Sequence, residues 1–202
     1  MKIGPKFKIA KRLGAPIFAK TQTQKFALSE ARGGRQTKRR PGQMSDYKRQ
    51  LIEKQKMRFS YGISEKQLRR YVNESVEKSH QPISLLMQRL ESRLDNVVYR
   101  LGLAKTRQMA RQMVAHGHIC VNGRKMTIPS HQVKIDDLLT VREGSRNSRL
   151  FENFADTHEA AGVPAWLTFD VKKLEGKVAA LPTYQPSETL FDPAQVLEYY
   201  SR

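Results

Sequence analysis

Residues 93–126 read RLDNVVYRLGLAKTRQMARQMVAHGHICVNGRKM, and the spacing of their apolar residues predicts the structure of this part of the chain. In the first part of this stretch, apolar residues recur at i, i+3, i+4 and i+7, the spacing of one face of a helix: Leu94, Val97, Val98 and Leu101. We therefore predict a short helix from Arg93 to Leu101, which Gly102 ends in the position of a C-cap glycine.

A second helix is predicted from Arg107 to His116. Thr106 can cap its first turn, Gly117 can end it, and four apolar residues lie on its inner face: Met109, Ala110, Met113 and Val114. The polar faces of the two helices are mostly cationic: Arg93, Asn96 and Arg100 on the first, Arg107 and Arg111 on the second. Helices that are apolar on one side and cationic on another are typical of a surface that meets phosphate groups.

The dipeptide Asn122-Gly123 predicts a tight hairpin after the second helix, because it favours the type I′ turn between antiparallel strands. The two strands would be Ile119–Val121 and Arg124–Met126. Further strands are predicted at 138–141, 166–171 and 177–181, with a helix at about 147–160. Asp192 and Pro193 are expected to begin a final helical turn or two.

Residues 1–44 have the composition of an extended basic arm. Lysine, arginine, glutamine and threonine dominate, and glycines and prolines break any long helix. We expect such a segment to be largely disordered alone and to become ordered on its partner. Five apolar residues interleave with the charges and are expected to act as anchors: Phe7, Ile9, Leu13, Ile17 and Phe18.

Residues 45–90 predict a small helical domain. Ser45 can cap a helix that runs to about Phe59, Ser64 begins the capping box Ser-Glu-Lys-Gln of a second helix, and Pro82 opens a third. The expected inner faces are Leu51, Ile52, Gln55 and Phe59 on the first helix, and Leu68, Tyr71, Val72 and Val76 on the second. Residues 192–202 are expected to join this domain, packing near Leu51, Leu68 or Val72.

The charge of the chain favours a polyanionic partner. Its 202 residues include 37 Lys and Arg against 19 Asp and Glu, a net charge of +18. The charge is uneven, since residues 1–60 hold 17 basic and 3 acidic side chains, whereas residues 151–202 hold 4 and 8. We expect the acidic C-terminal quarter to serve protein contacts and internal packing.

Other features bear on the compartment and on the kind of polyanion. No stretch approaches the ~18 consecutive apolar residues of a membrane span, no secretory signal follows Met1, and the single Cys120 rules out an internal disulfide. We therefore predict a cytoplasmic protein. Peripheral membrane binding is not expected, because no helix sets Trp, Phe and Leu opposite lysines.

The sequence offers little for catalysis. Neither a phosphate-binding loop nor a nucleophile elbow is present. His116, His118 and Cys120 could line one face of a strand, but Gly117 interrupts the strand and nothing nearby supplies a fourth metal ligand. We predict no enzyme activity, no metal, no cofactor and no small-molecule substrate, and we interpret His118 as a phosphate or sugar contact.

Positive charge spreads over the arm, the helical domain and the helix–hairpin module. This distribution favours a structured RNA read by shape and backbone over DNA read by one recognition helix. The residues predicted to contact RNA are Lys6, Lys8, Lys11, Arg12, Arg35, Lys38, Arg39, Arg40, Lys48, Arg49, Lys56, Arg58, Arg69, Arg70, Arg93, Asn96, Arg100, Thr106, Arg107, Arg111, His118, Asn122 and Arg124.

Several stretches resemble one known family. Residues 90–102, LESRLDNVVYRLG, and residues 121–124, VNGR, resemble the RNA-binding module of the ribosomal protein S-four family. Further motifs resemble its bacterial form: YGISEKQL at 61–68, PAWL at 164–167, KLEG at 173–176 and YYSR at 199–202. The resemblance covers nearly the whole chain.

Patterns and resemblance together predict an α+β fold with four parts. They are an extended basic arm at 1–44, an all-helical domain at 45–90 joined by 192–202, an S-four RNA-binding module at 91–153, and a C-terminal extension of the module at 154–191. The module is expected to contain two helices and a small, mostly antiparallel sheet. Zinc-bearing members carry a Cys-x-x-Cys after Gly4-Pro5, but Phe7 and Ala10 hold those positions here, which excludes zinc.

The resemblance implies a structural constituent of the small ribosomal subunit that binds its rRNA directly and early and nucleates assembly of the subunit body. It also implies a contact with ribosomal protein S-five that contributes to decoding accuracy. The protein would lie near the channel by which mRNA enters the ribosome, with S-three as a further neighbour. The alternative is an RNA-modifying enzyme of the pseudouridine-synthase type with the same module, although the residues after the module are too few for a catalytic domain.

Overall fold

The computed structural model describes residues 3–33, 44–146, 148, 150–151 and 162–201. Within these ranges it consists of helices and one five-stranded antiparallel sheet, which confirms the predicted α+β class. The chain forms two compact units. Unit 1 comprises residues 1–83 and 185–202, and unit 2 comprises residues 84–184.

The elements of the described residues are as follows, in chain order. The α-helices are α1 (Lys6–Leu13), α2 (Gln24–Gly33), α3 (Asp46–Tyr61), α4 (Glu65–Lys78), α5 (Pro82–Glu91), α6 (Leu94–Arg100), α7 (Arg107–Ala115), α8 (Glu143–Arg146) and α9 (Pro193–Tyr200). The strands are β1 (Ile119–Val121), β2 (Arg124–Lys125), β3 (Leu138–Val141), β4 (Leu167–Asp170) and β5 (Glu175–Val178). Short 3-10 turns occupy Ala19–Gln22 and Pro186–Glu188.

The first part of unit 1 is helical, so the prediction of an extended arm is wrong for the described residues of this segment. Its prolines and glycines lie at the boundaries of elements and not within them. Pro5 precedes α1, and Gly14 ends α1 with a φ of 63°, a left-handed conformation that glycine adopts without strain. The prolines and glycines therefore divide the segment into short helices.

A small aromatic core holds these helices together within unit 1, whereas the sequence predicted that this segment would become ordered only on its partner. Ala10, Phe18 and Phe26 are buried, and the rings of Phe7 and Phe26 meet edge to face with centroids 5.3 Å apart. Phe18 makes a similar contact with Phe59 of α3, at 6.1 Å. The anchors thus bind α1 and the turn after it to the rest of unit 1.

Helices α3 and α4 begin where the sequence predicts. The Oγ of Ser45 accepts a hydrogen bond from the backbone N of Lys48 at 3.4 Å, and the Oγ of Ser64 accepts one from the N of Gln67 at 3.3 Å. The predicted inner faces are partly wrong. The buried residues of α3 are Gln50, Lys54, Met57 and Tyr61, and α4 buries Leu68, Tyr71, Val72 and Ser75.

Helix α9 closes unit 1 by packing against α3 and, less extensively, against α4. The side chain of Gln50 donates to Glu198 at 3.0 Å, and a carboxylate oxygen of Glu53 accepts from the backbone N of Asp192 at 2.9 Å. Val196 of α9 is fully buried. Many of the contacts to α3 are polar, whereas the sequence predicted packing near aliphatic residues.

The carboxylate of Glu65 joins α3, α4 and α9. Its Oε1 accepts from Lys54 Nζ at 2.8 Å and from the Tyr200 hydroxyl at 2.7 Å, and Arg58 Nη1 lies 3.3 Å from Oε2. Partial burial would raise the pKa of Glu65, but the hydrogen bonds and the two cations outweigh burial and hold this pKa below its ordinary value. Burial and the bond to Glu65 raise the pKa of Tyr200, so its hydroxyl stays protonated and donates.

We expect Glu65→Gln to lower the melting temperature of unit 1 at pH 7 by roughly 2–4 °C. The effect is modest because solvent partly screens the ion pairs of Glu65 with Lys54 and Arg58. The ionised carboxylate stabilises the fold above its unfolded pKa of about 4.3, and this contribution is lost as the pH falls through the lower folded pKa. The two proteins should therefore converge near pH 3 in thermal melts. Glu77→Gln, at an exposed position of α4, is the control and should match the parent throughout. A gap between Glu65→Gln and the parent that stays constant down to pH 3 would refute this account of Glu65.

Unit 2 packs α6 and α7 against one face of the sheet, whose strand order is β2-β1-β3-β5-β4. The hairpin is as predicted: Asn122 and Gly123 have φ angles of 49° and 77°, and Val121 pairs with Arg124. Strand β5 begins two residues before its predicted start, because the turn after β4 is completed by Leu174 with a φ of 54°. The predicted helix at 147–160 lies almost wholly outside the described residues.

Gly176 of β5 lies directly against the core of unit 2. A Cβ at this position would stand 2.5 Å from Cδ1 of Leu101, which is fully buried, so the leucine side chain or the strand would have to shift. We expect Gly176→Ala to destabilise unit 2 by about 1–3 kcal/mol in urea unfolding. Gly144→Ala, where a Cβ would meet nothing within 4 Å, should cause no loss. Equal stability of the two variants would mean that the strand can shift away from Leu101.

Candidate nucleic-acid interface

The apolar faces of α6 and α7 are buried as the sequence predicts. Leu94, Val97, Val98 and Leu101 are fully buried, together with Ala110, Met113 and Val114 of α7. Thr106 caps α7, since its Oγ1 accepts from the backbone N of Met109 at 3.1 Å. Because these side chains face the sheet, the polar side chains of both helices are directed elsewhere.

Arg93 is not on the polar face, and its predicted RNA contact is corrected by the structure. It is the N-cap of α6, with an extended backbone (φ −68°, ψ 137°), so its side chain leaves the helix surface. The guanidinium is fully buried and donates two hydrogen bonds to the Asp95 carboxylate, from Nε to Oδ1 at 3.0 Å and from Nη2 to Oδ2 at 2.7 Å. The sequence pattern began the helix one residue early.

Asn96 is buried as well, which again corrects its predicted contact. The Arg100 side chain is 21% exposed, and its contact with RNA stays a prediction. Both side chains turn to Glu91, the last residue of α5. Asn96 Nδ2 donates to the carbonyl of Glu91 at 3.0 Å and to its Oε2 at 2.8 Å, and Arg100 donates to both carboxylate oxygens at 2.9 and 3.1 Å. The predicted cationic stripe of α6 is thus mainly an internal network.

Arg107 and Arg111 are the partly exposed cations of α7. The guanidinium of Arg107 lies 4.5 Å from the ring centroid of Tyr99, and its Nε donates to Asn96 Oδ1 at 2.7 Å. Arg111 is 39% exposed, and its Nη1 lies 3.8 Å from Oδ2 of Asp95. Internal partners therefore orient both arginines along one side of the helix pair.

The remaining candidates of unit 2 differ in their surroundings. Arg124 is exposed at the hairpin, and His118 contacts the hydroxyl of Ser145 through Nδ1 at 2.9 Å. The side chain of Asn122 bonds within the protein at both ends, to Asp137 at 2.8 Å and to the backbone N of Leu138 at 2.9 Å. These bonds fasten the hairpin to β3. The residue is exposed, and its contact with RNA stays a prediction.

Unit 1 contributes a second set of basic residues. Seven of them are exposed: Lys8, Lys11, Arg12, Lys48, Arg49, Arg69 and Arg70. Lys6 is partly buried near the ring of Phe18. Arg35, Lys38, Arg39 and Arg40 lie outside the described residues.

Two predicted contacts of unit 1 are used internally. Lys56 Nζ pairs with Glu53 at 2.7 Å, and Arg58 pairs with Glu65 and lies over the ring of Phe59 at 4.8 Å. Their side chains are only 16% and 21% exposed. These ion pairs help to hold α3 in place, and the contacts of Lys56 and Arg58 with RNA stay predictions.

Sequence reasoning missed Tyr99, Glu91 and Asp95 as parts of the site. Helical periodicity does not distinguish Tyr99 from its neighbours, and it attaches no role to the two acids. A usable signal was present, since two acidic residues stand within a stretch that is otherwise rich in arginine. Their proximity to Arg107 and Arg111 depends on the packing of α7 on α6.

Two further searches of the described residues bear on the site. Within them, no set of three or more His, Cys, Asp and Glu side chains is arranged to hold a metal ion. In the same part of the chain, no helix is both long enough and apolar enough to cross a membrane.

Comparison with known proteins divides the chain at the end of α5. Residues 1–91 match the model of the ribosomal protein S4/S9 N-terminal domain, and residues 92–139 match the S4 domain. Proteins named small ribosomal subunit protein uS4 are similar over almost the full length. The one from Persephonella marina is 42% identical over 201 residues, covering 98% of both chains. Those from Chloroflexus aurantiacus and Chromobacterium violaceum are each 42% identical over 205 residues, covering 99% of this chain and 98% of theirs.

Proposed function

The chain belongs to the family of small ribosomal subunit protein uS4, and from this premise we propose that it binds small-subunit rRNA directly through the α6–α7 face of unit 2 and the exposed cations of unit 1. As a member of this family it is a structural constituent of the small subunit and not an enzyme. The pseudouridine-synthase alternative is set aside, because the uS4 relatives align with 98–99% of the chain.

One observation carries the proposal for the RNA contact. Arg107 and Arg111 are held by internal partners on one side of a helix pair whose opposite side is buried in the core. Oriented guanidinium groups suit phosphate oxygens, and the cost of ordering them is met within the folded protein. The net charge of +18 supports the same partner, since it favours association with a polyanion at long range.

We extend the proposal to three finer roles that the family resemblance implies. The protein would bind rRNA early and so nucleate assembly of the subunit body. It would contact ribosomal protein S-five, with S-three as a further neighbour, and it would lie near the path by which mRNA enters. The compact folding of the described residues favours early binding, because these residues would need little ordering when the protein meets naked rRNA.

Affinity for a 5′-domain fragment of small-subunit rRNA should fall linearly on a double-logarithmic salt plot. Each phosphate neutralised by Lys or Arg contributes about 0.7–0.9 to the slope, because its counterion is released. The measurement is filter binding of the full-length protein at a series of KCl concentrations. A 3′-domain fragment of equal length is the matched control and should bind more weakly at each salt concentration. A flat salt response, or equal affinity for both fragments, would refute direct and specific rRNA binding.

A further inference from the structure

The carboxylate of Glu91 is buried beside the cations of the proposed RNA-binding face. The residue is only 7% exposed, at the end of α5, and its side chain meets Asn96 and Arg100 of α6. A carboxylate near a phosphate-binding surface opposes the binding of a polyanion by simple electrostatics. Its presence therefore calls for a role that outweighs this repulsion.

The hydrogen bonds define that role. Oε2 of Glu91 accepts from Asn96 Nδ2 at 2.8 Å, and the backbone carbonyl of Glu91 accepts from the same nitrogen at 3.0 Å. Two acceptors on one side fix the amide so that its Nδ2 faces α5. Asn96 Oδ1 then points the other way and accepts from Arg107 Nε at 2.7 Å.

Arg107 is oriented by this amide and by one aromatic ring. The bond at Nε fixes one edge of the guanidinium, and the Tyr99 ring, 4.5 Å from the guanidinium carbon, supports one of its faces. The same Glu91 carboxylate accepts two hydrogen bonds from the Arg100 guanidinium, whose positive charge compensates the negative charge of Glu91. The chain from Glu91 through Asn96 to Arg107 lies wholly within unit 2.

We propose that Glu91 is a positioning residue for RNA binding, which acts by setting the orientation of Asn96 and thereby the direction of the Arg107 guanidinium. This inference rests on the proposed function, because it concerns the same face. It assigns a buried acid to the recognition of a polyanion without any contact between the acid and the RNA.

The proposal predicts that Glu91→Gln weakens RNA binding, whereas the change in net charge alone predicts tighter binding. Glu91→Gln makes the protein one charge more positive, so charge alone would tighten RNA binding. In the variant, however, the new side-chain amide can present its NH₂ to Asn96 and Arg100, which both donate in the parent. Asn96 Nδ2 then loses its carboxylate acceptor and keeps the backbone carbonyl of residue 91, so the amide is held less firmly. An amide that turns would set its Nδ2 against Arg107 Nε, donor against donor.

We expect Glu91→Gln to weaken binding to the 5′-domain rRNA fragment by roughly five- to tenfold, the size of coupling seen within one hydrogen-bond network. The matched control is Glu143→Gln, which removes the same charge at an exposed position of α8. It should bind as tightly as the parent or slightly more tightly. Equal affinities for Glu91→Gln and Glu143→Gln would overturn the proposal.

A double-mutant cycle separates positioning from general damage to the fold. In an Arg107→Ala background, Glu91→Gln should weaken binding less than twofold further, because the group it positions is absent. An undiminished loss in that background would show that Glu91 does not act through Arg107. Circular dichroism at the binding temperature checks that each variant is folded.

If Glu91→Gln does not fold, Glu91→Asp tests whether Glu91 positions Asn96. It keeps the charge that compensates Arg100 but withdraws the carboxylate from Asn96, so weaker RNA binding by a folded protein is expected and parental affinity would refute the inference. Failure of the proposed function would look different. In that case the parent itself would show no salt-dependent preference for the 5′-domain fragment.

Discussion

Val97→Asp is expected to unfold unit 2. Val97 is fully buried on α6 within a cluster of apolar residues contributed by α6, α7 and the sheet. A carboxylate placed there would be desolvated without a partner, at a cost of at least about 3–5 kcal/mol. This is a large part of the ~5–15 kcal/mol that stabilises a typical domain. Backbone hydrogen exchange on the full-length protein should show protection lost in residues 94–141.

The chain offers a matched control for this substitution. Val76 is a valine of α4 that is 56% exposed, so Val76→Asp introduces the same charge on a helix without burying it. We expect this control to cost less than about 1 kcal/mol. Native-like exchange protection of α6 and α7 in Val97→Asp would mean that the buried face of α6 is wrongly assigned.

Replacing both Arg107 and Arg111 with Ala is expected to weaken rRNA binding on the order of 10²-fold. Each charged hydrogen bond to a phosphate is worth about 1.5–3 kcal/mol, and loss of two contacts should also lower the salt slope by nearly 2. The fold should survive with a modest loss of stability, from the missing stack of Arg107 on Tyr99. Filter binding in a salt series and a thermal melt measure the two effects.

The control for this pair removes the same charge from the same unit. Lys172 and Lys173 are exposed in the turn between β4 and β5, and neither was predicted to contact RNA. Lys172→Ala/Lys173→Ala should reduce affinity only through long-range attraction, by a few-fold at low salt. Similar losses from the two double variants would indicate that net charge, and not the α7 arginines, governs binding.

Features that depend on neighbouring residues were predictable from the sequence. The caps at Ser45, Ser64 and Thr106 and the turn at Asn122-Gly123 were all placed correctly, because capping and turn formation are decided within a few residues. The buried stripes of α6 and α7 were likewise correct. Such local rules gave the order of most elements and the α+β class.

Features that depend on distant partners were not predictable. Arg58 reads as a surface cation, yet Glu65 neutralises it across the turn between two helices. Arg93 reads as part of a stripe, but a shift of the helix start by one residue moves it into the core beside Asp95. Helices α1 and α2 are too short to be stable alone, and contacts that hold this segment, such as that of Phe18 with Phe59, cannot be read from periodicity within it.

The same limit applies to the candidate site. Helical periodicity identified the arginines, but it could not distinguish those that meet solvent from those that meet a carboxylate. Glu91 is five residues from Asn96, and Arg107 is eleven residues beyond Asn96. Their connection arises only when α7 packs on α6 and α6 meets the end of α5.

The placement of α9 in unit 1 has a consequence for synthesis of the chain. Tyr200 bonds to Glu65 across 135 residues, and all of unit 2 lies between them in sequence. A chain made from its N-terminus therefore exposes residues 84–184 before α9 exists, and closing so long a loop is slow. We expect unit 2 to acquire its native contacts while translation is still under way, whereas the α3 surface waits for the last residues to leave the exit tunnel.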